Sequence, residues 1–129
     1  MTPLPPSTVL IAEDDEDVRD LVALRLSAAG YRTVTVDNGN AALNAANLER
    51  PDLVVLDIDM PGLDGLTVCQ QLQGMARTSH IPVLILSARG RDLDASQGRA
   101  MGADDYMAKP FDSADLLDRV ARLLADARH

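Results

Sequence analysis

The chain has 129 residues, 47% of them apolar, with 20 acidic and 12 basic side chains and a net charge of −8. That length favours one domain whose core needs no disulfide or metal staple. No run approaches the roughly 18 consecutive apolar residues that span a bilayer. The acidity argues against this stretch gripping a phosphate backbone unaided, and the start lacks a charged and then apolar leader. The expectation is therefore a cytoplasmic protein with no membrane contact and no direct nucleic-acid contact.

Residues 1–7 contain Pro3, Pro5 and Pro6 and read as a flexible lead-in, because proline has no N–H to give a ladder. The domain is expected over residues 8–127. Its first strand is Thr8 to Ala12. A helix follows, with Val18, Leu21, Val22, Leu26 and Ala29 at helical spacing, and Gly30 stops it. Tyr31 to Val36 alternates like a half-exposed edge strand. Asn38 or Asn40 caps a second helix, which ends before Pro51 because the residue preceding proline disfavours helical angles.

Leu53 to Leu56 is continuously apolar, as suits a central strand covered on both faces. Met60-Pro61-Gly62 makes a turn, and a third helix runs over about 64–75. The lone cysteine, Cys69, allows no internal disulfide; with Leu66, Leu72 and Met75 it reads as part of that helix's core stripe. Ile81 to Leu86 is another buried strand. A fourth helix is expected over about 91–101; Gly98 costs it about 1 kcal/mol relative to alanine, which makes it the least stable helix. A short strand leads to Lys109. Asp112 or Ser113 then caps a fifth helix carrying Leu116, Leu117, Val120 and Leu124 on one face.

Five strand–helix repeats predict an α/β domain: a doubly wound, five-stranded parallel sheet in a three-layer sandwich with five helices. The carboxyl ends of parallel strands share one edge, where ligands bind. Four runs end there in polar groups: the first at Glu13-Asp14, the third at Asp57, the fourth at Ser87 and the fifth at Lys109. Crowded carboxylates without nearby histidine or a second cysteine favour Mg²⁺ or Mn²⁺ over zinc, with Glu13, Asp14 and Asp57 as an incomplete cage. Lys109 fits as a positive charge on a phosphoryl group, and the Ser87 hydroxyl can donate to it. No glycine-rich loop offers a nucleotide a cradle. Neither His80, ahead of a strand, nor His129, at the end of the sequence, is placed as a base. The nucleophile candidates are Asp57, which can form an aspartyl-phosphate, and Ser87, which has no neighbouring base.

Glu13-Asp14, Leu56-Asp57-Ile58-Asp59-Met60-Pro61-Gly62-Leu63-Asp64-Gly65, Ser87-Ala88 and Asp105-Tyr106-Met107-Ala108-Lys109-Pro110-Phe111 together resemble the receiver domain of two-component response regulators. The resemblance spans about Val9 to Leu124. It implies the flavodoxin-like strand order 2-1-3-4-5. It implies Asp57 as phosphoacceptor from a phosphohistidine on a sensor histidine kinase or phosphotransfer protein. Mg²⁺ would be held by Glu13, Asp14, Asp57 and the backbone carbonyl of Asp59. Lys109 would pair with the phosphoryl group and precede a cis proline. Ser87 and Tyr106 would be switch residues. The output would be a changed affinity of the face formed by the fourth helix, fifth strand and fifth helix for an effector, with homodimerisation on phosphorylation as one outcome. Glu13 where many relatives have Asp, and Ser87 in place of Thr, are mild departures.

Simpler roles stand beside these. Asp15, Glu16 and Asp17 suit the first turn of a helix, where the dipole favours negative charge. Asp59 suits a turn, Tyr106 a strand end, and Arg89 and Arg91 the surface. A haloacid-dehalogenase-like phosphatase could use Asp57-x-Asp59, Ser87, Lys109 and Asp104-Asp105. That class, however, places its nucleophile after the first strand and its acidic pair after the lysine, and it leaves Glu13-Asp14 idle. A receiver fold kept only for docking, without phosphorylation, is the third reading.

Overall fold

The computed structural model describes residues 6–88 and 102–127. Five strands, β1 (Thr8–Ala12), β2 (Arg32–Val36), β3 (Leu53–Asp57), β4 (Val83–Ser87) and β5 (Asp105–Ala108), form one parallel sheet in the order β2-β1-β3-β4-β5. The described helices are α1 (Glu16–Ala28), α2 (Gly39–Glu49), α3 (Gly65–Gly74) and α4 (Ser113–Ala127). Here α4 is the fifth helix of the sequence reading. The helix expected over 91–101, with Arg89, Gly98 and Met101, lies outside the described residues. The architecture is the doubly wound, flavodoxin-like sandwich.

Side chains alternate across each strand, so the two faces of the sheet build separate cores. Leu10, Ala12, Val54, Leu56, Val83 and Ile85 pack with Ala42 and Ala46 of α2 and with Val68, Cys69 and Leu72 of α3. Val9, Ile11, Leu53, Val55, Leu84 and Leu86 pack with Val22 and Leu26 of α1 and with Leu116, Val120 and Leu124 of α4. β3 and β4 are buried at every position, as strands covered on both sides must be. Cys69 is a core residue, and burial, aided by the charge of Asp104, lifts its thiol to about 11.

Local chemistry sets the helix ends. Asp15, Asn38 and Asp64 cap α1, α2 and α3 by accepting backbone N–H groups at the first turn. Asp112 Oδ1 accepts from Ala114 N at the start of α4. Gly30 takes φ +100 beyond α1, as the stop signal requires. α2 ends at Glu49, with Arg50 in the left-handed region ahead of Pro51.

Candidate functional site at the carboxyl edge of the sheet

The sheet brings four strand ends to one edge. Glu13 follows β1 directly, and its N–H donates to the Val36 carbonyl, so the turn leaves the sheet only after that bond. Asp57 is the last residue of β3, paired with Leu86. Ser87 is the last residue of β4, paired with Ala108. Lys109 leaves β5 with its N–H on the Ser87 carbonyl at 2.7 Å and precedes a cis proline.

Glu13, Asp14 and Asp57 each place a carboxylate oxygen within 4.8 Å of the others. Glu13 and Asp57 are buried, at 0% and 2% exposure, while Asp14 faces solvent. Lys109 Nζ lies 2.5 Å from Glu13 Oε1 and 3.2 Å from Asp57 Oδ1. Asp57 Oδ1 also accepts the Asp59 N–H at 3.3 Å, and Glu13 Oε2 accepts the Asp15 N–H at 3.2 Å.

The electrostatics follow from this crowding. Burial, then the hydrogen bond and charge of Glu13, raise the Asp57 carboxyl to about 8, against the lowering effect of Lys109. Burial draws the Lys109 ammonium down, but its bond to Glu13 and the charges of Asp57 and Glu13 outweigh it, so it stands above its ordinary value. Three carboxylates and one ammonium leave an excess of negative charge, and at neutral pH a proton on Asp57 offsets part of it. A small dication suits the same position. The donors are hard oxygens, without histidine or thiolate, and the Asp14 side opens to water, as Mg²⁺ prefers.

Two backbone approaches hold the acceptor loop. A Cβ on Gly65 would lie 2.2 Å from the Asp57 carbonyl oxygen, and one on Gly39 would lie 2.2 Å from the Leu63 carbonyl oxygen. Both positions therefore require glycine. The Ser87 side chain is fully buried. Tyr106 pairs with Ile85 and packs against the core that contains α2 and α3. Its hydroxyl is buried and makes no hydrogen bond among the described residues.

Sequence reasoning missed two arginines. Arg19 Nη1 donates to the backbone carbonyl of Glu13 at 3.1 Å. Arg119 binds Asp115, Asp105 and the Tyr106 carbonyl, tying α4 to β5. An arginine one turn into a helix is the available signal for the first; neither bond has a sequence motif of its own.

An acidic triad at the carboxyl edge of a 2-1-3-4-5 sheet, with a lysine from the last strand lying across it, defines a receiver-type domain. The model of the response regulator receiver domain matches residues 9–121, and the chain belongs to that family. It is 45% identical over 116 residues to the DNA-binding dual master transcriptional regulator RpaA of Synechocystis sp., covering 90% of this chain and 48% of that protein. The match to a crystal structure of a putative response regulator from Chloroflexus aurantiacus has a TM-score of 0.90 at 37% identity, over 93% of this chain and 98% of that one. The BeF3-activated N-terminal receiver domain of Klebsiella pneumoniae RstA matches with a TM-score of 0.84 at 34% identity, over 91% and 97%. The chain spans about half the length of the curated relatives it matches. No described helix is long and apolar enough to cross a membrane.

Proposed function

We propose that this chain is a phosphorylation switch in which Asp57 accepts a phosphoryl group from the phosphohistidine of a sensor kinase or phosphotransfer protein. The contact of Lys109 with both Asp57 and Glu13 carries the reading. It puts a fixed positive charge beside the acceptor carboxylate, where a transferred phosphoryl group would develop negative charge. An Asp57 oxygen forms the new P–O bond as the P–N bond to the histidine breaks, and the imidazole leaves with the electron pair. Glu13, Asp14, Asp57 and the carbonyl of Asp59 are the residues that would hold Mg²⁺, which supplies charge neutralisation between the carboxylates and the incoming group. Lys109 orients one phosphoryl oxygen, and the Ser87 hydroxyl donates to another.

The product adds charge and acceptor oxygens at the strand ends. Tyr106 is the second switch residue, and its buried hydroxyl, which makes no hydrogen bond among the described residues, supports a side chain with another arrangement open to it. A tenfold change in partner affinity needs about 1.4 kcal/mol of differential stabilisation. The responsive face includes β5 and α4, and its partner is an effector or a second copy. Residues 8–127 form the unit that carries the switch, in the cytoplasm. The net charge of −8 gives no support for direct grip on a nucleic-acid backbone by this stretch; DNA binding is in the name of the Synechocystis relative.

The chemistry is stoichiometric. Incubation with a phosphohistidine donor and Mg²⁺ should leave one hydroxylamine-labile phosphoryl group per chain. Repeated turnover of a generic phosphate monoester would instead establish a phosphatase and overturn the switch.

A further inference from the structure

We infer that Arg19 is a positioning residue for the cation site: it locks the peptide plane between Glu13 and Asp14. This rests on the proposed metal site and extends it to a residue that touches none of the three carboxylates. The carbonyl of Glu13 and the N–H of Asp14 belong to one rigid peptide unit. Arg19 Nη1 donates to that carbonyl at 3.1 Å, so it sets the plane from which Asp14 departs. The neighbouring bonds hold the rest of the turn. The Glu13 N–H is on Val36, Glu13 Oε2 takes the Asp15 N–H, and Asp15 Oδ1 caps α1 through the N–H groups of Asp17 and Val18. The Asp14 side chain is exposed, and packing does little to aim it. With the peptide plane free to rotate, that carboxylate would swing away from Glu13 and Asp57.

Arg19 reaches the turn from the β2 side, where it lines an open cleft with Thr35, Val36 and Asp37. Lys109 reaches the carboxylates from β5. The two cations therefore have opposite consequences for a metal ion. Lys109 competes with a dication for Glu13 and Asp57, and its removal tightens binding. Were Arg19 only a nearby charge, its removal would also tighten binding. As a strut for Asp14, its removal loosens binding, by about tenfold for an interaction that orients a ligand from outside the coordination shell.

The test is Mn²⁺ titration of the whole chain, followed by the resonance of the free ion, on wild type, Arg19→Ala, Arg19→Lys and Lys109→Met. Circular dichroism checks that each variant is folded. The expected order is Lys109→Met tighter than wild type, Arg19→Ala about tenfold weaker, and Arg19→Lys between wild type and Arg19→Ala. Arg19→Lys is the deciding variant if Arg19→Ala fails to fold. Affinity unchanged or increased in the Arg19 variants would overturn the strut while leaving the metal site standing. Wild type that binds no Mn²⁺ would overturn both.

Discussion

Lys109 Nζ sits 2.5 Å from Glu13 Oε1, so the ammonium that leaves the last strand is paired with a fully buried carboxylate at the end of the first. Glu13 also receives the Asp15 N–H, but Lys109 supplies the cation. Lys109→Met leaves that buried charge without its counter-ion, and losses of this kind cost roughly 3 kcal/mol. Urea unfolding of the metal-free protein at neutral pH checks this. A change within about 0.5 kcal/mol, the range of ordinary surface substitutions, would mean that the pair carries no weight.

The raised Asp57 carboxyl gives stability a definite pH dependence. Folded Asp57 keeps its proton up to about 8, whereas its ordinary value is 3.8. Between those values the folded state binds more protons than the unfolded chain, so stability falls as pH rises across that window. Asp57→Asn removes the contribution and makes the metal-free protein more stable than wild type at pH 8. Urea midpoints between pH 5 and 9 test the sign; a wild-type midpoint that climbs relative to Asp57→Asn would contradict it.

Mg²⁺ should reverse that penalty. At tenfold excess over its dissociation constant, a ligand bound only by the folded state adds about 1.4 kcal/mol. Wild type should therefore gain thermal midpoint on adding Mg²⁺, and Asp14→Ala, whose exposed carboxylate is one of the three gathered donors, should lose most of the gain. An equal gain in both would place the ion elsewhere.

Gly65 tests the acceptor loop. Alanine there would put its Cβ 2.2 Å from the Asp57 carbonyl oxygen, a backbone atom that can yield only by moving the strand end. The cost of overpacking is about 2 kcal/mol, and phosphorylation of Asp57 should slow along with it. Gly74→Ala, where an added Cβ meets nothing within 4 Å, should be neutral or mildly stabilising.

Much of this organisation was legible in the sequence because burial leaves a compositional trace. The central strands read as unbroken apolar runs since both faces are covered, and capping residues marked the starts of α2 and α4. The strand order was not in the periodicity; it came with the family resemblance. The ends of β1 and β2 were read at Ala12 and Val36, where they fall, but those of β3 and β4 were read one residue short. Asp57 and Ser87 occupy the last paired positions of their strands, where a carboxylate and a hydroxyl interrupt the apolar pattern without interrupting the ladder. Arg19 stayed hidden for a related reason. Its partner is a backbone carbonyl, and the direction of a carbonyl leaves no mark on composition or spacing.

The central claim is that Asp57 is the phosphoacceptor, and intact-mass measurement after incubation with acetyl phosphate and Mg²⁺ tests it most directly. Wild type should gain the mass of one phosphoryl group, mapped to Asp57, and gain none when Mg²⁺ is chelated before the reaction; Asp57→Asn should gain none in either case. Wild type that stays unmodified under these conditions, or Asp57→Asn that labels equally, would contradict the account.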